Sequence, residues 1–151
     1  MSTIHPRLLL GGWNEAKSLS WLKQHKVTHI LNCAREIPAL YPSDFVYLNL
    51  LLDDVPEQDI APALETSQLF VQWAYESSPS SVVFVHCMMG ISRSSSMVIN
   101  HLLHSKQHKT YEEAYRFVRS KRDIVHPNRG FVKQIKARYP SPGDKEVPFT
   151  T

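Results

Sequence analysis

Three short apolar runs along the chain predict buried β-strands. They cover residues 27–32 (VTHILN), 45–50 (FVYLNL) and 82–86 (VVFVH). Each run is rich in β-branched, aliphatic or aromatic side chains, and the turn-prone stretch SSPSS precedes the third. Short continuous runs of this composition are typical of strands that a sheet buries on both faces.

Apolar residues at helical spacing predict helices between and after these strands. Three of them cover residues 14–25, 93–105 and 110–121, and the last of these begins with a capping box of Thr110 and Glu113. A fourth helix follows Asp59 as its N-cap and carries Leu64, Phe70 and Val71. A fifth helix follows Asn128 and carries Phe131 and Ile135. The alternation predicts an α/β domain with a central, mainly parallel, twisted sheet flanked by helices. Because ligands of such sheets bind beyond the carboxyl ends of the strands, the loop after residues 82–86 is the first place to expect chemistry.

Length and composition narrow the class of protein. The chain has 151 residues, 42% of them hydrophobic, which suits one globular domain with a real core. We expect residues 1–139 to form a single catalytic domain and residues 140–151, which hold three prolines, to be a flexible tail. No apolar run is long enough to span a bilayer, and the N-terminal run is too short for a signal peptide, so we expect an intracellular protein with no membrane partner.

Two further counts bear on location and cofactors. The two cysteines cannot form a disulfide framework and suit a reducing compartment, so we expect the cytoplasm and leave the nucleus open. The eight histidines show no metal-ligand spacing, so we expect no metal and no cofactor.

Charge is distributed unevenly along the chain. The net charge is −3 over residues 1–100 and +6 over residues 101–151. Arg116, Arg119 and Arg122 are spaced for one helix face, which either attracts an acidic partner or is simply solvated. Basic residues are not interleaved with exposed aromatic ones, so we expect no nucleic-acid partner.

The loop after residues 82–86 reads His86-Cys87-Met88-Met89-Gly90-Ile91-Ser92-Arg93-Ser94. Its backbone N–H groups can curl around one tetrahedral anion, and the N-terminus of the next helix adds partial positive charge. Gly90 permits the positive φ that such a turn requires. The guanidinium of Arg93 can close the cup with paired hydrogen bonds to phosphate oxygens, and the same donors stabilise a thiolate at Cys87.

This loop resembles the signature H-C-x-x-G-x-x-R-S of cysteine-dependent protein phosphatases, most closely the small, atypical dual-specificity branch of the protein tyrosine phosphatase superfamily. Residues 30–38 (ILNCAREIP) are similar to the family's early strand and following loop, and residues 122–131 (RDIVHPNRGF) to its R-x-x-(x)-x-P-N-x-x-F segment. The resemblance therefore implies the phosphatase fold of that superfamily. The family's usual A-Y-L after the signature is Asn100-His101-Leu102 here, a departure that concerns packing or partner choice rather than the phosphate cup.

The resemblance also implies a mechanism. Cys87 attacks phosphorus and becomes phosphocysteine, while Arg93 and the loop backbone hold the phosphate oxygens. Ser94 donates a hydrogen bond to the departing sulfur. The loop positions expected to line the bound phosphate are Met88, Met89, Gly90, Ile91 and Ser92.

Two supporting residues have structural alternatives. His86 is expected to orient the loop backbone, and the alternative is a core histidine without that task. Asn128 is expected to shape the wall of the cup, and a helix N-cap fits its sequence context equally well.

A carboxylic acid must protonate the leaving oxygen and then activate water. Its position in the family, counted back from Ile60, predicts Asp54. If the alignment with the family is shifted by one position, the acid is Asp53 instead. The structural alternative for Asp53 is a residue that faces water at the end of a strand.

The expected substrates are phosphotyrosine, phosphoserine and phosphothreonine in proteins, since the chain has little room for a loop that would deepen the cleft for phosphotyrosine alone. Alternatives are a phosphatase for a non-protein phosphoester, a catalytically silent phosphate-binding module, and a scaffold whose partner is a kinase. Cys33 is either a small buried apolar residue or a second thiol able to trap oxidised Cys87 as a disulfide.

Overall fold

The computed structural model describes residues 1–141, which form a five-stranded sheet and six helices. The strands are β1 (Ser2–His5), β2 (Leu8–Gly11), β3 (His29–Ala34), β4 (Val46–Leu52) and β5 (Val83–His86). The helices are α1 (Trp13–Ala16), α2 (Leu19–Gln24), α3 (Ala61–Ser77), α4 (Arg93–His104), α5 (Tyr111–Lys121) and α6 (Arg129–Arg138). The expected tail, beyond its first two residues, lies outside the described residues, so the division at residue 139 stays a prediction.

The sheet has the strand order β1-β2-β5-β3-β4. Strands β2, β5, β3 and β4 run parallel, and within residues 1–141 only β1 pairs antiparallel, with β2. This confirms the predicted mainly parallel sheet, and β3, β4 and β5 correspond to the three apolar runs with shifts of one or two residues at their ends. The loop that is expected to carry the chemistry follows β5, which lies at the centre of the sheet.

The hairpin of β1 and β2 was absent from the sequence prediction, which is therefore wrong for residues 2–11. Each strand has only four residues, and Pro6-Arg7 separates them, so neither gives a pattern long enough to recognise locally. β2 is nevertheless completely buried because it pairs with β5. The contact that defines this strand therefore comes from residues more than seventy positions away.

Helices cover both faces of the sheet. Alternate residues of each central strand point to opposite sides: Val83 and Val85 of β5 join the cluster with α3–α6, whereas Phe84 joins the cluster with α1 and α2. Helix α4 is buried along nearly its whole length between the sheet and α3, α5 and α6. Burial on both faces explains why β3 and β5 read as continuous apolar runs. β4 is instead an edge strand, and of its residues only Leu52 is buried, so the prediction of a buried strand over residues 45–50 is wrong.

Most predicted helix ends are close to the observed ones. The N-cap of α3 is Ile60 rather than the predicted Asp59, although the Asp59 carboxylate accepts the N–H of Ala61 at 3.0 Å. Thr110 is the N-cap of α5 as predicted, and its hydroxyl accepts the N–H of Glu113 at 3.2 Å. The single helix predicted over residues 14–25 is wrong: it is divided into α1 and α2 because Ser18 is extended and its hydroxyl caps the N–H of Trp21. None of the helices within residues 1–141 is long and apolar enough to cross a membrane.

The four parallel strands end at the same edge of the sheet, and each is followed by a residue of the candidate site. Gly12 follows β2, Glu36 follows β3, Asp54 follows β4 and Cys87 follows β5. Parallel strands bring their carboxyl ends together, so residues far apart in the sequence meet here without any insertion.

Asn100 shows what the departure from the family's A-Y-L does. Its side chain is completely buried in α4, its Nδ2 donates to the Leu64 carbonyl at 2.8 Å, and its Oδ1 accepts from the Tyr139 hydroxyl at 2.7 Å. The amide thereby joins α4 to α3 and to the residue that ends α6. The departure therefore concerns packing, as expected.

We predict that Asn100→Ala lowers the free energy of unfolding by about 2 kcal/mol, although alanine is the family's usual residue, because it removes both hydrogen bonds and leaves a cavity. Tyr139→Phe, which removes only one of them, should cost about 1 kcal/mol. Urea denaturation monitored by tryptophan fluorescence measures both values. Equal losses in the two variants would show that the bond to Leu64 contributes nothing.

Candidate active site

Cys87 is the first residue after β5 and lies at the base of a small surface cup. Its side chain is 3% exposed, and its Sγ lies 3.1 Å from the hydroxyl of Ser94 in the first turn of α4. The cup has a volume of about 110 Å³ and is lined by Asp54, Cys87, Met88, Met89, Ile91, Ser92 and Arg93. The structure thus brings together the thiol, the arginine and one of the two candidate acids.

The backbone of residues 87–91 turns its carbonyl groups away from the cup. Six donors around the loop hold these five carbonyls. The pairs are Cys87 with the His86 ring Nδ1 (3.3 Å), Met88 with the Trp13 N–H (2.8 Å), Met89 and Gly90 with the Arg122 guanidinium (3.0 and 2.9 Å), and Ile91 with both the His126 N–H (2.8 Å) and the Ser95 hydroxyl (2.6 Å). In a trans peptide the N–H points opposite to the C=O, so the N–H groups of residues 88–92 point into the cup. The loop therefore presents a concave set of donors to an anion.

Gly90 is the residue that makes this turn possible. Its φ is +68°, and a Cβ at this position would lie 2.7 Å from the carbonyl oxygen of Gly11 and 2.7 Å from the Arg122 guanidinium. Any other residue would be strained by its φ and would push the loop away from β2. The positive φ predicted for Gly90 is therefore present, and both this φ and the lack of space for a Cβ require glycine here.

Arg93 is held in place by a carboxylate that the sequence analysis did not identify. Its Nη1 and Nη2 donate to the two carboxylate oxygens of Glu36 at 2.6 and 2.7 Å, and Nη1 also donates to the Leu52 carbonyl at 3.0 Å. The paired hydrogen bonds raise the pKa of Arg93 and lower the pKa of Glu36. Both side chains therefore stay charged across neutral pH.

Glu36 binds the edge of the guanidinium formed by Nη1 and Nη2, and the edge formed by Nε and Nη2 remains available to a ligand. The Nε–H of Arg93 is buried and has no hydrogen-bond partner within the described chain. It lies on the same edge as the second hydrogen of Nη2, so these two N–H groups can bind two oxygens of one tetrahedral anion side by side. A buried unpartnered donor is costly in a structural arginine, and it suits a ligand site.

The two candidate acids occupy different places. Asp54 lines the cup, and its carboxylate accepts a hydrogen bond from Asn128 Nδ2 at 2.9 Å. Asp53 points elsewhere and pairs with Arg35 at 3.0 Å, where both side chains are about half exposed. The geometry therefore favours Asp54, and Asp53 has the position of a water-facing residue at the end of a strand.

Asn128 combines two contacts that the sequence analysis treated as alternatives. Its Oδ1 accepts the N–H of Phe131 at 3.0 Å and so caps α6, while its Nδ2 donates to Asp54. Its backbone N–H also donates to the Ser92 hydroxyl at 2.9 Å. Asn128 thus connects α6, the loop of residues 86–94 (the phosphate loop) and the candidate acid Asp54.

His86 and Cys33 are buried below the loop. Burial lowers the pKa of His86 to about 4, so the ring is neutral at physiological pH, and its Nδ1 can donate to the Cys87 carbonyl. Cys33 is completely buried in the core, and burial raises the pKa of its thiol. These features suit a small apolar core residue at position 33.

Three outer residues of the site were missed or misassigned from sequence. Trp13 carried no motif signal. Glu36 lies in the family-like segment of residues 30–38 and could have been singled out there as a charged residue after a parallel strand. Arg122 was assigned to a ladder with Arg116 and Arg119, which is wrong because α5 ends at Lys121 and Arg122 is extended. Its guanidinium holds the loop carbonyls instead.

Comparison with known proteins agrees with the fold and with the family that the sequence resembles. Residues 8–139 match the family described as dual specificity phosphatase, catalytic domain. The Arabidopsis thaliana protein-tyrosine-phosphatase MKP1 is 38% identical over 89% of this chain, and dual specificity protein phosphatase 1B of the same plant is 34% identical over 90% of this chain and 80% of its own length. The crystal structure of a human tyrosine phosphatase-like serine/threonine/tyrosine-interacting protein superposes with a TM-score of 0.83 and 30% identity over 91% of this chain and 94% of that one.

The chain belongs to the dual specificity phosphatase catalytic-domain family. Its fold is the phosphatase fold expected from the resemblance. The chain spans 17% to 20% of the length of several longer curated relatives that it matches.

We predict that Glu36→Gln weakens the binding of inorganic vanadate about tenfold, because the amide can no longer hold both Nη groups and the Nε edge of Arg93 loses its orientation. Isothermal titration calorimetry measures the dissociation constant. Glu65→Gln, the same charge change on the exposed face of α3, is the matched control and should bind as the wild type does. Tighter binding by Glu36→Gln would mean that the carboxylate acts mainly by repelling the anion.

Proposed function

We propose that this chain is a cysteine-dependent phosphatase that hydrolyses phosphotyrosine, phosphoserine and phosphothreonine in proteins through a phosphocysteine intermediate. The observation that carries the proposal is the cup that Cys87 and Arg93 line together: donors outside it hold the carbonyls of residues 87–91, which directs five N–H groups inward, and the Arg93 Nε–H has no hydrogen-bond partner within residues 1–141. Membership of the dual specificity phosphatase family supports it.

In the first step the Cys87 thiolate attacks phosphorus, and a P–S bond forms as the bond to the leaving oxygen breaks. The N–H groups of residues 88–92 and the free edge of Arg93 hold the three other oxygens, where negative charge is redistributed in the transition state. Asp54 gives its proton to the leaving oxygen, and the hydrogen bond from Asn128 keeps its carboxyl group beside the cup.

In the second step the Asp54 carboxylate takes a proton from water, and the resulting oxygen attacks phosphorus. The P–S bond breaks and inorganic phosphate leaves. The Ser94 hydroxyl donates to the sulfur and stabilises the thiolate as it departs. The cycle returns both Cys87 and Asp54 to their starting states.

The size and lining of the cup support phosphomonoesters of proteins as substrates. The variable loop positions Met88, Met89, Ile91 and Ser92 carry no positive charge for additional phosphate groups, which disfavours a polyphosphorylated inositol lipid. We expect the cup to accept the shorter phosphoserine and phosphothreonine side chains as well as phosphotyrosine.

We further propose a signalling role in the cytoplasm or the nucleus, with phosphorylated proteins as partners and kinases among them. The free thiols of Cys33 and Cys87 support a reducing compartment. Within the described residues no group of three or more His, Cys, Asp or Glu side chains could hold a metal ion, and the mechanism requires none.

We predict that Cys87→Ser lowers the hydrolysis of an aryl phosphate at least a thousandfold under reducing conditions, because a hydroxyl at this position remains protonated and is a poor nucleophile. Phosphate release measures the rate. Cys33→Ala, which removes the other thiol, is the control and should retain activity. Wild-type activity in Cys87→Ser would contradict the mechanism, and vanadate binding without turnover in the unaltered protein would identify a silent phosphate-binding module.

We predict that Asp54→Asn lowers kcat on a phosphothreonine peptide about a hundredfold, since an alkoxide leaves slowly without a proton. The loss should be smaller for p-nitrophenyl phosphate, whose leaving group needs little protonation. Asp53→Asn is the matched variant one position away and should leave both rates near those of the wild type. The reverse result would assign the acid to Asp53.

A further inference from the structure

A second pocket adjoins the phosphate cup and does not include Asp54 in its lining. Its volume is about 250 Å³, and Met88 and Met89 line both the pocket and the cup. Asp54 lines only the cup, so a peptide whose phosphorylated residue enters the cup can continue across the two methionines into this pocket. We refer to it as the flanking pocket.

The walls of the flanking pocket are mainly apolar. Trp13, Met88, Met89 and Ile124 supply these surfaces. Met89 is 62% exposed and Ile124 is 47% exposed, so two large apolar side chains meet water at the same mouth. Exposed apolar groups gathered beside a ligand site, rather than scattered singly over a surface, indicate contact with a partner.

The pocket is attached firmly to the phosphate loop. The Trp13 N–H donates to the Met88 carbonyl at 2.8 Å, and a Cβ on Gly12 would lie 2.7 Å from that same oxygen. This close approach holds the Trp13 wall in place beside the cup. The pocket is therefore formed before a substrate binds, as is usual for binding sites.

The charged groups at the pocket do not favour a second phosphate. The Arg122 side chain lines the pocket, but its Nε and Nη2 already donate to the Gly90 and Met89 carbonyls. Glu15 contributes a carboxylate to the same lining. Lys17 Nζ lies 5.8 Å from the centre of the Trp13 ring but is not among the lining residues.

We propose that the flanking pocket binds an apolar side chain next to the phosphorylated residue of a substrate, and that it selects such a neighbour over an acidic or phosphorylated one. The occupant follows from the continuity of the pocket with the cup, from its apolar walls and from the carboxylate at its edge. This inference rests on the proposed function, because it assumes that a phosphopeptide occupies the cup.

The test compares phosphotyrosine peptides that are identical except at the residue directly before or directly after the phosphotyrosine. That residue is leucine, alanine, lysine, glutamate or a second phosphotyrosine. We expect kcat/KM to be about tenfold higher for leucine than for alanine at one of the two positions. Glutamate and phosphotyrosine should give values below that for alanine.

Ile124→Ser removes an apolar wall without touching the cup, so it should reduce the preference for leucine to about twofold and leave hydrolysis of p-nitrophenyl phosphate unchanged. Leu69→Ser is the matched control, since Leu69 is 54% exposed on α3 and lines neither pocket. It should keep the full preference.

The outcomes separate this inference from the proposed function. Equal kcat/KM for all peptides, or a preference for the doubly phosphorylated one, with p-nitrophenyl phosphate still hydrolysed, would overturn the flanking pocket alone. A preference for leucine that Ile124→Ser does not change would also overturn it. Failure to hydrolyse p-nitrophenyl phosphate would overturn the proposed function.

Discussion

The site depends on the direction of five consecutive peptide groups. A loop can direct the N–H groups of residues 88–92 inward only if the carbonyls of residues 87–91 point outward, and each of those carbonyls then needs a donor behind it. The fold supplies these donors from four separate segments: the start of α1, His86 at the end of β5, Ser95 in the first turn of α4, and residues 122–126 after α5. Without them the loop would have to form internal hydrogen bonds, and the inward donors would be lost.

Arg93 extends the same constraint to a side chain. A free arginine side chain populates many rotamers that do not reach the anion, and fixing it in one rotamer has an entropic cost of about 2 kcal/mol. Glu36 and the Leu52 carbonyl fix one end of the group and leave the Nε edge directed at the cup. The ion pair also gives the guanidinium a partner for its charge, since the Arg93 side chain is only 8% exposed whereas Glu36 is 45% exposed.

Sequence pattern predicted the parts of this arrangement that are encoded locally. The strand before Cys87, the glycine at position 90 and the helix after Arg93 all belong to one continuous segment, and their chemistry was visible there. β2, Glu36 and the contacts of Arg122 were not visible, because each is defined by a partner 32 or more positions away along the chain. The predicted helix over residues 110–121 already ends before Arg122, so its spacing from Arg116 and Arg119 wrongly placed this arginine on the helix face. The Arg122 guanidinium contacts the loop instead.

Asn128 explains why a structural and a functional interpretation of one residue need not compete. A side-chain amide has both an acceptor and a donor, so the oxygen can cap α6 while the nitrogen holds Asp54. An aspartate could cap the helix as well, but it would repel the carboxylate of Asp54, and a serine would cap it without reaching the acid. The requirement for both contacts therefore selects asparagine at a position where the capping preference alone would accept several residues.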